Sequence, residues 1–223
     1  MRGRRIELGE ALGSGATSTV FRAETPSGPV ALKLGRGPAQ RLRFADECAR
    51  LAWVSSPELL TVLDAGVMRE GRVLPDGSRL EAGSPFLLLE WFDGAVLDPL
   101  RPQTPEAGRE LALVVARDIG RALADLHAAG SAHGDVKPSN IVVAWDASGR
   151  PRRARLVDFG LAGEATEVVP RGGTRRYLAP EVQEAGGDAR LRDLYALGAV
   201  LAELVVPELA RAERLSPELL VEL

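Results

Sequence analysis

The first part of the chain alternates apolar and polar positions in short runs that glycine-rich turns interrupt. Between residues 6 and 34 these runs are IELGEAL, TVFRAET and GPVALKL. A period of two residues, with Gly, Pro and Ser between the runs, predicts hairpins of β-strands. Residues 39–54 change to a helical period, because Phe44, Glu47 and Leu51 recur at spacings of three and four.

Strand patterns resume after this helix and then give way to helical ones. LLTVLDAGVM and FLLLEWF predict strands, and the polar residues 69–85 between them predict a hairpin or loop. Residues 105–129 predict a long amphipathic helix that begins at Thr104-Pro105, a favourable N-cap followed by proline at the first helical position. Short strands at NIVVAW and ARLVDFG and a second helix over residues 190–206 complete the pattern.

This order of elements predicts an α+β chain of two lobes. A β-rich N-lobe with one main helix covers about residues 1–92, a linker follows at 90–104, and a mostly helical C-lobe covers 105–223. Cofactors favour the cleft that two such lobes leave between them, so we expect the functional residues to face it.

Composition narrows the class of protein. The chain is 45% hydrophobic and 26% charged, which excludes extensive disorder, and its net charge of −3 gives no general attraction to nucleic acid. The single cysteine, Cys48, excludes a disulfide framework and a zinc site of several thiolates, and it fits a reducing cytoplasm. The most apolar late stretch, LYALGAVLAELVV, is too short to span a bilayer and carries Glu203, so we expect no membrane segment.

A glycine-rich turn lies between the first two predicted strands, at LGSGATSTV. Gly13 and Gly15 do not open a helix there, which argues against a dinucleotide-binding fold. A glycine hairpin can fold over a triphosphate, because backbone N–H groups approach it without a Cβ in the way. Ser18 stands at the position of a third glycine, and a plain flexible hairpin fits this turn equally well.

Lys33 closes the third strand and has a candidate partner in the first helix. If its side chain faces the cleft, it needs an anion and a carboxylate to hold it. Glu47 lies within the apolar stripe of the helix, where an unpaired carboxylate would be costly. The alternatives are a solvated lysine at the edge of the strand and a glutamate that only borders the stripe.

Polar residues that suit a hard cation follow in the second half of the chain. Asp135 and Asn140 lie in the turn-rich HGDVKPSN, and Asp158 ends an apolar strand before a glycine. Two carboxylates and an amide oxygen suit a cation that bridges phosphates. A carboxylate without metal can accept a hydroxyl proton, and Lys137 can neutralise charge on a transferring phosphoryl group. Taken singly, each of these residues also fits a turn or a cap.

The combination of motifs resembles the protein kinase superfamily, specifically bacterial serine/threonine kinases of the eukaryotic-like type. The matches follow one another in order over nearly the whole chain, which makes coincidence a poor explanation. They are Gly13-Ser14-Gly15 with Val20, Val30-Ala31-Leu32-Lys33, Glu47, Ser56-Pro57, Leu89-Glu90-Trp91-Phe92, HGDVKPSN from His133 to Asn140, Asp158-Phe159-Gly160, Gly173-Thr174, Ala179-Pro180-Glu181 and Asp193. The resemblance implies a two-lobed kinase-like fold, with residues 1–223 as one protein kinase domain.

The resemblance also implies how each matching residue is used. The nucleotide side comprises Gly13, Ser14, Gly15 and Val20 over ATP, Ala31 against adenine, backbone groups of Glu90 and Phe92 at the adenine edge, and Lys33, paired with Glu47, on the α- and β-phosphates.

On the catalytic side, Asp135 would orient the acceptor hydroxyl and take its proton, with Lys137 near the γ-phosphate. Asn140 and Asp158 would hold Mg²⁺, with Mn²⁺ as an alternative ion. Thr174 would lie in the loop that receives the Ser or Thr of a protein substrate.

One departure from the family pattern concerns regulation. The common His-Arg-Asp is His133-Gly134-Asp135 here, and the missing arginine is the usual partner of an activation-loop phosphate. Between Gly160 and Gly173 the one hydroxyl residue is Thr166. We therefore expect activity that does not require phosphorylation of this loop.

His-Gly-Asp is also typical of aminoglycoside-phosphotransferase-like kinases, which act on small molecules. Lys137-Pro138 and the segment GTRRYLAPE favour a protein kinase instead.

The chain stops soon after the helix that carries Asp193, so the resemblance implies a shortened C-lobe. Arg211 or Arg214 would then have to serve Glu181 in place of the family's later arginine. Exposed apolar surface would follow, which a further domain or a partner chain could cover. A pseudokinase that binds nucleotide without transfer is the alternative that the short C-lobe favours.

Overall fold

The computed structural model describes residues 6–74, 77–97, 102, 104–159, 163–164, 175–179, 188–206 and 209. Its contacts divide the chain into two compact units. The first unit comprises the residues up to Trp53 together with Leu60–Trp91, and the second comprises Val54–Leu59 together with the chain from Phe92 onward. The α+β composition of a kinase-like fold is confirmed, since the first unit is a sheet with one helix and the second is mainly helical.

The first unit is built on a five-stranded antiparallel sheet in the order β1-β2-β3-β7-β4. Its strands are β1 (Glu7–Ser14), β2 (Ser18–Thr25), β3 (Gly28–Gly35), β4 (Val62–Val67) and β7 (Pro85–Glu90). The turns between the first three strands lie at the predicted glycine-containing positions. Strand β7, predicted from its continuous apolar run, is the most buried: its first five residues are all inaccessible to solvent.

Helix α1 (Arg41–Trp53) packs on one face of this sheet after a 3-10 turn at Pro38–Gln40. Its buried positions are Phe44, Glu47 and Leu51, which is the predicted stripe. Gly35 makes the contact close: a Cβ there would lie 3.1 Å from the Phe44 ring and 2.7 Å from Pro85.

The opposite face of the sheet is covered by the segment between β4 and β7. This segment, predicted as a hairpin or loop, contains the two-residue strands β5 (Arg72–Val73) and β6 (Arg79–Leu80). Leu74 and Leu80 are buried against Leu32, Leu34 and Phe86 of the sheet, in a cluster completed by Phe21, Ala23, Val30 and Leu88. Because side chains alternate across a strand, this cluster lies on the face that Lys33 does not share.

The second unit is organised around helix α2 (Pro105–Ala128), which begins as predicted. Thr104 is the N-cap and accepts a hydrogen bond from the amide of Ala107, with proline at the first helical position. The predicted apolar stripe is the buried one, and it consists of Leu111, Val115, Ile119, Ala122 and Leu126. Helix α3 (Ala189–Val205) follows, and no helix in the described ranges is long and apolar enough to cross a lipid bilayer.

Short strands complete the second unit. Strand β8 (Ala95–Val96) pairs with β10 (Ile141–Trp145), which pairs with β11 (Pro151–Leu156). Strand β9 (Ser131–Ala132) pairs with β12 (Gly163–Glu164). Two details differ from the sequence analysis: the predicted linker contains β8, and β11 begins at Pro151, three residues before the predicted strand ARLVDFG. The partner of β8 is more than 40 residues later in the chain, whereas β11 pairs with β10 of the same hairpin.

A buried carboxylate joins α2 to β11. Asp118 is 2% exposed, and its side chain accepts from Nε of Arg117 at 2.6 Å and from the amide of Ala154 at 2.8 Å. Burial by itself raises the pKa of this carboxyl, but the Arg117 guanidinium and the Ala154 amide outweigh it and hold the pKa below its usual value. The ionised form therefore stabilises the folded state.

We expect Asp118→Ala to lower the free energy of unfolding by about 2–3 kcal/mol at pH 7, because three charge-assisted hydrogen bonds are lost, two from Arg117 and one from the Ala154 amide. The contribution of a depressed pKa is present above the unfolded value of about 3.9 and is lost as the pH falls through the folded value. Urea unfolding at pH 7 and near pH 3 measures both effects. The exposed Asp125→Ala is the control, and an equal loss in both variants would contradict this account.

Candidate active site

The glycine turn of the first unit leaves its backbone accessible. In the hairpin of β1 and β2, Gly13 pairs with Val20, and the amide of Gly15 donates to the carbonyl of Ser18 at 2.9 Å. A Cβ on Gly13 would meet no atom within 4 Å, so no described atom of the protein fills the space next to this glycine. A ligand that approaches the backbone can use it. The hydroxyl of Ser14 receives a hydrogen bond from Arg36, which ties the base of the hairpin to the end of β3.

The residues predicted to contact ATP in β2 and β3 share one face of the sheet. Val20 lies opposite Lys33 in the register of β2 and β3, and Ala31 is two residues before Lys33. Side chains two residues apart on a strand point the same way. Val20, Ala31 and Lys33 therefore face the same side, which is the side of α1.

Lys33 and Glu47 form a buried ion pair. The Nζ atom of Lys33 lies 2.7 Å from each carboxylate oxygen of Glu47, and the two side chains are 5% and 2% exposed. The ammonium also lies 5.5 Å from the centre of the Phe44 ring. The predicted contact between strand and helix is thus present, and the readings of Lys33 as a solvated edge residue and of Glu47 as a border residue are wrong.

The two residues predicted at the adenine edge, Glu90 and Phe92, belong to different units. The amide of Glu90 donates to the carbonyl of Thr61 at 2.9 Å, and its side chain accepts from the Thr61 amide and hydroxyl. An adenine contact of Glu90 would therefore have to use its carbonyl. Phe92 is the first residue of the longer segment of the second unit. The Arg155 guanidinium of the same unit lies 4.8 Å from the centre of the Phe92 ring. Their adenine contacts stay a prediction.

The loop from His133 to Asn140 gathers three of the predicted residues. Lys137 Nζ lies 2.8 Å from a carboxylate oxygen of Asp135, whose side chain is 11% exposed. The amide nitrogen of Asn140 donates to the backbone carbonyl of Asp135 at 2.8 Å and contacts its carboxylate at 3.2 Å. A lysine and an amide therefore fix the Asp135 carboxylate from two directions.

The donor set for a divalent cation fits the residues present. Because the amide nitrogen of Asn140 is used on Asp135, its oxygen is the end that a cation would take. Asp158 follows β11, is exposed, and adopts the left-handed region at φ 64°, which Asp tolerates better than most residues. Among the described residues no group of three or more His, Cys, Asp or Glu could hold a metal. The predicted set of one carboxylate and one amide does not require such a group.

Asp193 in α3 holds the start of this loop. Its carboxylate is 1% exposed and accepts hydrogen bonds from the amides of His133 and Gly134, each at 2.8 Å. Nε2 of His127 lies 2.9 Å from the same carboxylate. Gly134 has φ 79°, a left-handed conformation that glycine adopts without a Cβ clash. The two successive amides can therefore converge on one carboxylate.

His133 is a packing residue of the site. It is fully buried, and its ring meets Phe159 edge to face with ring centres 4.9 Å apart. Its Nε2 atom lies 3.2 Å from the carbonyl of Val157, and its Nδ1 atom accepts from the amide of Asp135 at 3.3 Å. The histidine thus connects the segment of Asp158 to that of Asp135 within the second unit.

The segment that the resemblance assigns to substrate binding is described only in part. Residues 175–177 form a 3-10 turn, where Arg176 donates to the buried carboxylate of Glu203 and to the carbonyl of Leu209. The Tyr177 hydroxyl contacts the same carboxylate at 3.2 Å. The residues predicted in and around this segment that lie outside the described ranges are Gly160, Thr166, Gly173, Thr174, Pro180, Glu181, Arg211 and Arg214.

Comparison of the sequence with known protein families gives a match. The family model of the protein kinase domain matches residues 6–214. The chain belongs to the protein kinase family.

Three bacterial kinases are among the similar proteins. Serine/threonine-protein kinase PkaB of Streptomyces coelicolor is 33% identical over 219 residues, which cover 91% of this chain and 49% of PkaB. Serine/threonine-protein kinase PknB of Mycolicibacterium smegmatis is 33% identical over 92% of this chain and 33% of its own length. The DNA damage-responsive serine/threonine-protein kinase RqkA of Deinococcus radiodurans is 35% identical over 88% and 29%. The kinase chain therefore spans about half of PkaB and about a third of the other two.

The sequence analysis did not predict that Asp193, His127 and His133 hold the loop and the segment of Asp158 in place. Asp193 entered only as one match in a series, and His127 and His133 were assigned no function. A signal was present, since Asp193 is a lone carboxylate among the apolar residues of LYALGAV and its neighbours. Its partners are backbone amides 59 and 60 residues earlier, which a sequence pattern does not show.

We expect Asp193→Asn to loosen the loop from His133 to Asn140, because an amide group replaces the carboxylate that accepts from two backbone amides. The free energy of unfolding should fall by about 3 kcal/mol, and hydrogen exchange at the amides of His133 and Gly134 should accelerate.

Asp188→Asn is the matched control. Asp188 caps the same helix, and the Arg190 guanidinium lowers its pKa to about 2, but it does not contact the loop. Asparagine also caps helices well. Unchanged exchange at His133 and Gly134 in Asp193→Asn would show that the carboxylate is not what holds the loop.

Proposed function

We propose that this chain is the catalytic domain of a serine/threonine protein kinase, which transfers the γ-phosphoryl group of Mg-ATP to a hydroxyl of a protein substrate. The observation that carries the proposal is the arrangement of Asp135, Lys137 and Asn140. A carboxylate is held there by a lysine at 2.8 Å in a chain of the protein kinase family. The fully formed Lys33–Glu47 pair supports it.

The transfer follows from the chemistry of these groups. The acceptor oxygen forms a bond to the γ-phosphorus while the bond from that phosphorus to the β–γ bridging oxygen breaks, and ADP leaves with the electron pair. The hydroxyl proton passes to the Asp135 carboxylate. The Lys137 ammonium beside that carboxylate neutralises charge on the transferred phosphoryl group. Positioning and charge neutralisation supply most of the rate, because little covalent chemistry falls to the protein.

In this proposal the nucleotide is held mainly by the first unit. Gly13, Ser14, Gly15 and Val20 cover it, and Ala31 packs on adenine, while Glu90 and Phe92 contact its edge. Lys33, held by Glu47, binds the α- and β-phosphates. Asn140 and Asp158 bind Mg²⁺, which supplies positive charge to the phosphate oxygens when it is bound. Mn²⁺ has the same preference for oxygen ligands and is the alternative ion.

A small-molecule kinase is the second candidate, because Gly134 replaces the arginine of the common motif. Two features favour a protein acceptor. Lys137 follows Asp135 by two residues and contacts it, and the relatives are described as serine/threonine-protein kinases. In our proposal Thr174 lies in the loop that receives the protein substrate. The pairing of Lys33 with Glu47 and of Lys137 with Asp135 favours transfer over a pseudokinase that only binds nucleotide.

The setting of the domain is part of the proposal. We place it in the cytoplasm, where ATP is available and the single thiol of Cys48 stays reduced. The presence of a further domain or a partner chain beside this domain is part of the proposal, because the relatives are two to three times as long as the matched region.

We expect Asp135→Asn to abolish phosphoryl transfer while ATP binding survives. Asparagine keeps the shape of the side chain but cannot accept the proton, and loss of a catalytic base typically costs about 100- to 10,000-fold. Transfer from γ-labelled ATP with Mg²⁺ to generic protein acceptors measures the rate. Equilibrium binding of a fluorescent ATP analogue measures the affinity.

The assay includes Asp125→Asn, an exposed aspartate on α2, as the control that should retain full activity. A parallel reaction offers aminoglycoside-type alcohols in place of protein. Full transfer by Asp135→Asn would refute the catalytic assignment, and transfer to the alcohols alone would favour the small-molecule kinase.

Activity should not depend on phosphorylation of the loop between Gly160 and Gly173, because Gly134 offers no guanidinium to a phosphate. Thr166→Ala and phosphatase-treated wild-type protein should each transfer phosphate within about twofold of the untreated protein, and Thr166→Val controls for the loss of volume. A loss of most activity after either treatment would show that a phosphate is needed.

A further inference from the structure

We propose that Arg41 is a positioning residue for the Lys33–Glu47 pair, acting through its hydrogen bond to the carbonyl of Gly83. The inference rests on the proposed function insofar as the pair serves ATP. It adds a contact that fixes where α1 lies along the sheet, and it assigns a role to the segment between β6 and β7.

The contact is directional and closely fitted. Arg41 is the first residue of α1, and its Nε atom donates to the Gly83 carbonyl at 2.7 Å. Gly83 has φ 83°, and a Cβ at this position would lie 2.0 Å from Nη2 of Arg41. The backbone conformation of this position favours glycine, and a Cβ there would also displace the Arg41 guanidinium.

The acceptor is itself anchored to the sheet. The amide of Gly83 donates to the carbonyl of Met68 at 2.7 Å, and the amide of Met68 donates to the carbonyl of Ser84 at 2.8 Å. Ser84 is fully buried and directly precedes β7. The Gly83 carbonyl is thus held between the ends of β4 and β7, and a group bound to it is held in register with the sheet.

The apolar contacts of α1 do not define its axial position as strictly as a hydrogen bond does. Phe44 and Leu51 are buried, but apolar packing is non-directional and tolerates small shifts along the helix axis. Glu47 lies six residues after Arg41, which is about 9 Å along the helix at 1.5 Å per residue. Since a helix transmits a displacement along its axis, a hydrogen bond at Arg41 helps to determine whether the Glu47 carboxylate meets Lys33.

The same contact connects two layers of the first unit. Gly83 follows the β5–β6 hairpin, whose Leu74 and Leu80 pack on the sheet face opposite α1. Arg41 reaches this segment from the other face. The position of the hairpin is therefore coupled to that of α1, and through it to the ion pair.

The test compares two glycines with nearly the same backbone conformation. Gly83→Ala and Gly77→Ala place a Cβ at φ 83° and φ 79°, but the Cβ at Gly77 would meet nothing within 4 Å. Both variants incur the strain of a left-handed alanine, and only Gly83→Ala displaces Arg41. Arg41→Ala removes the same bond without changing the backbone of the loop.

The first measurement is acylation of the Lys33 amine by an amine-reactive ester, followed by peptide mass spectrometry of the full chain without nucleotide. We expect the rate to rise about tenfold in Arg41→Ala and Gly83→Ala, the factor that loss of one hydrogen bond supports, and to stay at the wild-type value in Gly77→Ala. The double variant should show no further increase, because both substitutions remove one contact.

The second measurement is steady-state transfer to a protein acceptor. We expect kcat to fall by a similar factor in the two variants while the KM for the acceptor is unchanged. Wild-type rates of acylation in Arg41→Ala, or equal rates in Gly77→Ala and Gly83→Ala, would overturn the inference. If the wild-type chain transfers no phosphate, the proposed function fails, while acylation of Lys33 still decides the role of Arg41.

Discussion

The carboxylate of Asp193 is the constraint on which the second unit of this kinase depends. It is buried in α3 and accepts the amides of two consecutive loop residues, His133 and Gly134. Burying a charge is costly unless donors surround it, and here the donors are the backbone that precedes Asp135. The hydrogen bonds that satisfy the carboxylate therefore also order the loop that carries Asp135, so the stability of the fold and the geometry of the candidate site depend on the same interaction.

The first unit uses the same principle with a different pair. Lys33 and Glu47 are both nearly inaccessible to solvent, and each is satisfied by the other. Such a pair contributes little net stability when compared with an apolar pair, but breaking it leaves an uncompensated charge. The sheet, helix α1 and the Arg41–Gly83 contact therefore all help to position one group. This group is the Lys33 ammonium, which we propose binds the phosphates of ATP.

Gly134 shows how a departure from a family pattern can be accommodated. The left-handed backbone at this position suits glycine, and its amide still reaches Asp193. The loop therefore keeps its anchoring without the arginine that other family members place there. The replacement by glycine removes the arginine side chain but keeps the backbone geometry of the loop. This agrees with the expectation that the site forms without phosphorylation of the loop between Gly160 and Gly173.

The sequence by itself determined the elements and most candidate residues, because periodicity, caps and glycine turns are local properties of the chain. Lys33 with Glu47 could be inferred, since a carboxylate in an apolar stripe requires a partner. The sequence could not determine the acceptors of Asp193, the strand pairing of β8 with β10, or the fit of Arg41 against Gly83. In each of these the partners are remote in sequence and at least one is a backbone group, and every residue type except proline carries the same backbone amide and carbonyl. Only the tertiary structure, which places those groups in space, decided them.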